Sequence, residues 1–319
     1  MGSLVKLKLA TLGTTTLLIA VSTLFIAVLL SLIGLTDILS LILTVVGFNL
    51  VQWLIAPYMI DSLYRTEEIP EGGHWLSEAV KRLSAKSGLN PPKLMLANIP
   101  IPNAFAYGSP LSGSKVAVTK GLLNALDREE VEAVIGHELG HIKHKDVQFM
   151  MFLSVLPAIF YYLGYSMMLS SYGGYRDRKR GSSPTILIGI ASMAVYWILT
   201  LIVMGFSRLR EYYADAHSVS VVDDGKRKLS EGLAKIVSFS SRGAAGRGGA
   251  YGSFKCLFIT DPDRAAEDLR EAAGAGSGLK DERLVREVMS REVTIFDRIA
   301  ELFSTHPNIV KRLRAIQSL

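Results

Sequence analysis

The chain has 319 residues, 49% of them hydrophobic, with a mean hydropathy of +0.30 and a formal net charge of +6. That apolar content exceeds what a soluble chain of this size carries, and the basic residues are scattered, many beside apolar runs, which points to anionic lipid headgroups and away from nucleic acid. The single cysteine, Cys256, excludes an intramolecular disulfide and a cysteine-rich metal site, and is compatible with a reducing compartment.

In chain order, residues 10–36, 38–60, 147–175 and 181–207 carry no Asp, Glu, Lys or Arg. Each run exceeds the roughly 20 residues that a helix needs to cross about 30 Å of hydrocarbon, so four transmembrane helices are expected. The first follows Lys6 and Lys8 and lacks a small-x-small cleavage site, which reads as a retained anchor. The second starts at once after Asp37, making a tight hairpin with the first. Asn49 and Gln52 share one face of that second span, the pattern of an interhelical hydrogen bond.

Residues 61–146 are mixed in polarity and read as a soluble segment. Glu78 to Ser87 has helical character, Pro91 to Ala97 reads as a short strand entered through prolines, and two extended pieces, 101–108 and 115–119, are joined by a Gly/Ser/Pro-rich turn as a hairpin. An edge strand there, including Asn103, Ala104 and Phe105, offers main-chain hydrogen bonds to an extended peptide without sequence demand. His74, after Gly72 and Gly73, reads as an exposed loop residue.

The next stretch carries the chemistry. Asp127 is a good N-cap, Glu130 stands at the capping-box position, and the helix they start contains His137-Glu138-Leu139-Gly140-His141. Residues four apart lie on one helix face, so both imidazoles reach one zinc ion, while Glu138 stands free to take a proton as general base. A third ligand must lie on the same side of the membrane. After two further spans, the first acidic residue is Glu211, with Asp215 four residues on and on the same helix face. That pair supplies a carboxylate ligand and a second carboxylate to hold the far N–H of a ligating imidazole. His144 reads as a surface or supporting residue, Asp146 as lying off the ligand face, and His217 has no assigned role.

His137-Glu138-Leu139-Gly140-His141, with Glu211-Tyr212-Tyr213-Ala214-Asp215 after two hydrophobic spans, resembles the HtpX-type membrane zinc metalloproteases, relatives of the CAAX prenyl endopeptidases. Asn103 to Gly108 is similar to that family's N-A-F-A-x-G strand, and Ser304-Thr305-His306-Pro307 with Arg312 to its S-T-H-P element. The resemblance covers nearly the whole chain. It implies a zinc endopeptidase of membrane-protein quality control, with one zinc held by His137, His141 and Glu211, and Glu138 catalytic. His306, Tyr212 and Tyr213 are alternative donors to the tetrahedral oxyanion. His306 has an equally open structural role, because Thr305 can cap a helix beginning at Pro307. The glycine-rich segment 241–252 reads as mobile, and a second small-residue patch, 272–278, punctuates the helical carboxy-terminal part.

The fold class expected is therefore a mainly α integral membrane protein, with four transmembrane helices and an α+β zincin-like metalloprotease domain with a small β-sheet. The parts are an N-terminal transmembrane hairpin (1–60), a first catalytic part (61–146), a second transmembrane hairpin (147–207) and a second catalytic part (208–319). Its partners are the bilayer and polypeptide substrates, membrane proteins foremost, with no nucleic acid. Processing of prenylated proteins and a non-catalytic metal-binding scaffold are the competing readings. A scaffold needs ligands but no Glu138, and a transporter is disfavoured by spans without charge. Lys6, Lys8, Arg65, Lys143, Lys145, Arg208 and Arg210 outnumber Arg176, Arg178, Lys179 and Arg180 across the membrane, which places the catalytic part of a multi-pass cell-membrane protein in the cytoplasm.

Overall fold

The computed structural model describes residues 38–70, 72, 74–173, 184–247 and 281–319. The first expected span, the basic loop 176–180, Cys256 and the patch 272–278 lie outside them. Among the described residues the order is α1 (Ile38–Tyr64), β1 (Thr66–Glu68), α2 (Trp75–Ser87), β2 (Lys93–Ala97), β3 (Ala104–Ser109), β4 (Gly113–Thr119), α3 (Lys120–Ala125), α4 (Arg128–Lys143), α5 (Asp146–Gly173), α6 (Pro184–Val221), α7 (Gly225–Arg247), α8 (Asp281–Met289), α9 (Ile295–Leu302) and α10 (Ile309–Ser318). The described residues are mostly helical, with one small sheet.

Among the described residues, three helices are long and apolar enough to cross a membrane: Ile42–Tyr64 in α1, Asp146–Met168 in α5 and Ile186–Val221 in α6. α6 has 38 residues and runs without a break from its apolar half through Arg208 to Glu211 and Asp215. No proline or glycine follows Gly205 before its end, so nothing in the sequence stops the helix where the charges begin. Asn49 turns its Nδ2 back to the Val45 carbonyl of its own helix at 2.8 Å, and Gln52 is exposed. Asn49 thus makes a bond local to α1, as a short polar side chain in a helix readily does, while the first span, its expected partner, lies outside the described residues.

The described residues fall into two compact units, one holding the described parts of 1–51 and 151–200, the other those of 52–150 and 201–319. In the first, Gly164 of α5 meets Gly189 of α6: a Cβ on Gly164 would lie 3.0 Å from the Gly189 carbonyl. Small residues facing each other allow two spans to pack closely. Tyr161 and Tyr196 meet edge to face at 5.1 Å beside them.

In the second unit the sheet order is β1-β2-β4-β3, with β2 and β4 parallel and the other pairs antiparallel. The expected hairpin is β3–β4, registered Ala104 to Val118 through Ser109 to Gly113. β3 is thus an edge strand. α4 packs against α2, α7 and β3, and its Val131, Ala133, Val134, Ile135 and Leu139 lie in the main core with Leu76, Leu83, Leu229, Leu233, Leu313 and Ile316. Its start is fixed as expected, since the Asp127 N–H donates to Glu130 Oε2 at 2.8 Å.

Two helix ends differ from the sequence reading. His74 is no free loop residue: its Nδ1 accepts from the Leu76 N–H at 3.2 Å and caps α2. The last helix starts at Ile309, not Pro307, and its cap is Asn308, whose Oδ1 accepts from the Val310 N–H at 2.9 Å. Thr305 therefore does not cap this helix, and the local bond before it goes to Ser304, whose Oγ accepts from the His306 N–H at 3.2 Å. The glycine-rich segment also begins differently, since 241–247 continue α7.

The contact that positions α4 on α6 is made of small residues. A Cβ on Gly140 would lie 2.9 Å from Ala214 Cα, and one on Gly136 would lie 3.0 Å from Val222 Cγ2 and 3.1 Å from Ser218 Oγ. Ser218 Oγ also donates to the Ala133 carbonyl at 2.6 Å, tying the helices directly. An alanine in a helix ordinarily gains about 1 kcal/mol over glycine, whereas forcing an extra carbon against packed backbone costs about 1–3 kcal/mol. Gly140→Ala should therefore lower the thermal midpoint in detergent, while Gly205→Ala, whose Cβ meets nothing nearer than 3.6 Å, should leave it equal or raise it. Circular-dichroism melts decide this, and an unchanged midpoint for Gly140→Ala would remove the packing role.

Candidate active site

α4 contributes His137, Glu138 and His141; α6 contributes Glu211 and Asp215; the first residue of α5 is Asp146; the segment before α10 contributes His306, and α10 itself Arg312. The Nε2 atoms of His137 and His141 stand 3.1 Å apart, with rings nearly perpendicular. Glu211 closes the triangle, Oε2 lying 3.6 Å from His137 Nε2 and Oε1 3.5 Å from His141 Nε2. The close approach at Gly136 and Gly140 brings these helices near enough for that geometry.

Each imidazole is held from behind by a carboxylate. Asp215 Oδ1 lies 2.9 Å from His137 Nδ1, and Asp146 Oδ2 lies 2.6 Å from His141 Nδ1. Proton donation from both Nδ1 atoms leaves both Nε2 lone pairs turned to the common point. Asp146 corrects the sequence reading, in which it lay off the ligand face. Extending α4 as an ideal helix does put it there, but Lys145 adopts a left-handed φ of 56° and turns Asp146 back to His141. Arg210 Nη1 then donates to the Asp146 carbonyl at 3.0 Å.

Arg312, a member of the S-T-H-P element without a role in the sequence reading, is the buried counter-ion. Its side chain is 1% exposed; Nε donates to Asp215 Oδ2 at 2.6 Å and Nη2 to Asp215 Oδ1 at 2.7 Å. This is a two-bond fork of the kind guanidinium makes with carboxylate. Nη1 lies 3.3 Å from Glu211 Oε2, and Nη2 also lies 3.2 Å from each ring nitrogen of His137. A signal was present in the sequence, since an arginine one turn into a helix after a buried histidine can reach inward, but its target could be known only from the fold.

His306 Nδ1 is 3.3 Å from Glu211 Oε2, a charge contact without hydrogen-bond alignment. The other two expected oxyanion donors are not gathered in the same way. Tyr213 projects to solvent beside His144, and Tyr212 is half-buried on the flank of α6. His217 packs on Ser87, its Nε2 2.9 Å from Ser87 Oγ. Glu138 is buried, and its Oε2 accepts the Ala106 N–H of β3 at 2.8 Å. That bond sets the phase of the edge strand: Ala106 and Ala104 turn their main chain away from β4, whereas Phe105 turns its own toward it. Asn103 leaves the expected edge set, because its N–H donates to Thr119 Oγ1 at 2.9 Å and its carbonyl accepts from the Thr119 N–H at 3.0 Å.

Whether these residues fit a metal ion is decided by three observations. Donors bound to zinc at about 2.0–2.1 Å in tetrahedral array stand about 3.3 Å from one another, close to the 3.1, 3.5 and 3.6 Å found. Glu211 Oε2 is buried and makes no hydrogen bond among the described residues, a deficit that a cation relieves. Finally, Glu138, Asp146, Glu211 and Asp215 are all buried, and among the described residues the one buried arginine, Arg312, pairs with Glu211 and Asp215; a divalent ion would offset the remaining negative charge. The residues fit. A second acidic trio, Asp127, Glu130 and Asp281, is filled by Lys235, whose Nζ lies 3.3, 2.8 and 3.0 Å from them respectively.

Without an ion, burial and Arg312 push the His137 ring toward the neutral form, but Asp215 and Glu211 outweigh them and raise its pKa to about 9 from 6.5. A folded-state pKa above the unfolded one stabilises the fold fully below pH 6.5, and that contribution is lost as pH rises through about 9. A metal displaces this proton. Chelator-stripped protein should thus lose thermal stability between these pH values more steeply than metal-loaded protein; parallel melting curves for the two would contradict the assignment.

A model of peptidase family M48 matches residues 70–319. The chain is 39% identical over 276 residues to a protease HtpX homolog of Aeropyrum pernix, covering 85% of this chain and 82% of the relative. It is 35% identical over 286 residues to one of Thermoplasma acidophilum, again over 85% and 82%. The crystal structure of S. mikatae Ste24p shares the fold at a TM-score of 0.55 and 16% identity, over 99% of this chain and 67% of that one. With a matched segment that takes in β2 to β4, the histidine helix, Glu211 and the Arg312 helix, the chain belongs to peptidase family M48 and is a membrane protease of the HtpX type.

Proposed function

We propose that the chain is a membrane-embedded, zinc-dependent endopeptidase that cleaves misfolded or damaged membrane proteins, with one zinc held by His137, His141 and Glu211. Glu138 carries the reading: a further buried carboxylate, one residue from the first ligand and bonded to the Ala106 N–H at 2.8 Å, is superfluous in a site that only stores a metal. When bound, zinc supplies Lewis acidity that polarises the scissile carbonyl and brings the pKa of water to about 7. Glu138 takes the proton of the attacking water and delivers it to the leaving amine. Asp215 and Asp146 keep the imidazoles in the ligating tautomer, and Arg312 holds Asp215 in place. His306, next to Glu211, is positioned to donate to the tetrahedral oxyanion.

Among the described residues β3 is an edge strand, and its partly exposed Ala106 and Gly108 lie in the phase that turns away from β4, which supports binding of an extended polypeptide through its main chain. Recognition of that kind makes no sequence demand, which suits unfolded substrates. The reading places two membrane hairpins (1–60 and 147–207) between two catalytic parts (61–146 and 208–319), on the cytoplasmic side.

Zinc content and proteolysis of an unfolded membrane protein in detergent separate the roles. Glu138→Gln should keep full zinc and lose nearly all turnover. Glu211→Ala should purify almost metal-free. Asp215→Asn should retain some zinc with affinity or turnover reduced roughly 10- to 100-fold. Full metal occupancy in Glu211→Ala, or wild-type cleavage by Glu138→Gln, would overturn the corresponding assignment.

A further inference from the structure

α9 is an inverted amphipathic helix. Its Ile295, Phe296, Ile299 and Leu302 are 73, 75, 51 and 51% exposed, and Phe303 at its C-cap is 55% exposed. At 100° per residue the four helical positions fall within an arc of about 120°. The acids lie on the opposite side and turn inward. Glu301 is buried, where its Oε1 accepts the Asn308 N–H at 3.0 Å and its other oxygen pairs with Lys311. Asp297 is used up in a capping box with Thr294. A helix of a water-soluble surface buries its apolar stripe and exposes its charges; α9 does the reverse, and its five large apolar side chains are contiguous.

Its depth is set by Arg208. Nη1 of Arg208 donates to the carbonyls of Glu301 and Ser304, each at 2.7 Å, at the C-terminal end of α9. In sequence Arg208 is the first charge after the uncharged run 181–207 of α6, so the residue that holds α9 also marks where that span leaves the hydrocarbon. Around it α6 exposes Ile202, Phe206 and Leu209, a stripe at helical spacing. Arg298 borders the apolar arc of α9 and is exposed, where a long basic side chain can reach headgroups while its neighbours enter the acyl boundary.

We infer that α9 lies in the plane of the membrane–water interface, with Ile295, Phe296, Ile299, Leu302 and Phe303 immersed in lipid. A stripe of Phe, Ile and Leu flanked by a basic residue is the composition of interfacial helices. Ser304 and His306 follow α9 directly, so lipid contact by α9 fixes the height of the active-site entrance. The inference deepens the proposed function by naming its substrate class: polypeptide segments emerging at the headgroup layer, not chains drawn from bulk water.

The test reads position, not proteolysis, so it succeeds or fails independently of the assigned chemistry. In a Cys256→Ser background, single cysteines replacing Phe296 or Ile299 carry a nitroxide label, with Ile202→Cys as the lipid reference and Glu292→Cys as the water reference. The proteins are reconstituted in phosphatidylcholine–phosphatidylglycerol vesicles, and zinc content verifies the site. Labels at 296 and 299 should collide with oxygen several-fold more than with a water-soluble nickel chelate, as at 202. Collision with the nickel chelate as at 292 would show an aqueous helix and overturn the inference. Loss of collision with both would show cover by protein, from a second copy or another segment of this chain, and would overturn it equally.

Discussion

Two glycines on one helix govern how near two histidines come to a carboxylate on another. Gly136 and Gly140 lie against Ser218, Val222 and Ala214 of α6, and the donors flank that seam: His137 and His141 from α4, Glu211 from α6. Helices with ordinary side chains in contact pack about 8–10 Å apart. Glycine at both positions permits backbone contact, and only then do side chains as short as these converge on one ion. The glycine inside the histidine motif is therefore part of the metal geometry although it touches no metal.

The second constraint is charge. Four buried carboxylates cannot gather in a low-dielectric site unless cations share it. Arg312 answers for Asp215 and for part of Glu211, and a divalent ion held by His137, His141 and Glu211 would answer for the rest. This explains why an arginine from the final helix must reach the centre: it joins α10 to α6, the helix that carries Glu211 and Asp215. Such pairs add little net stability compared with apolar packing, but removing one partner leaves a buried charge uncompensated.

Much of this was legible in the sequence because it obeys local rules. Three of the four uncharged runs coincide with the long apolar helices of the described residues, the Asp127–Glu130 cap gave the start of α4, and i, i+4 spacing gave His137 with His141 and Glu211 with Asp215 on shared faces. The β3–β4 hairpin followed from two extended runs around a Gly/Ser/Pro turn. What escaped depends on chain reversal or on partners distant in sequence. Asp146 was lost because one left-handed residue, Lys145, ends the helical projection. The function of Arg312 was lost because its partner Asp215 lies 97 residues away. Asn103 looked free until Thr119 was seen to take both of its main-chain groups.

Membrane and metal are adjacent in this chain. Asp146 begins α5 and holds His141, and Glu211 lies three residues beyond Arg208 on an unbroken helix. A shift of either span relative to α4 would thus be felt at a ligand within one turn. The central claim, one ion held by two imidazoles and a carboxylate, is tested most directly by zinc K-edge X-ray absorption on the purified protein. Two imidazole nitrogens at about 2.0–2.1 Å with oxygen completing the shell are predicted. A third imidazole, which would bring His306 or His144 onto the metal, or a sulfur at about 2.3 Å, would contradict it.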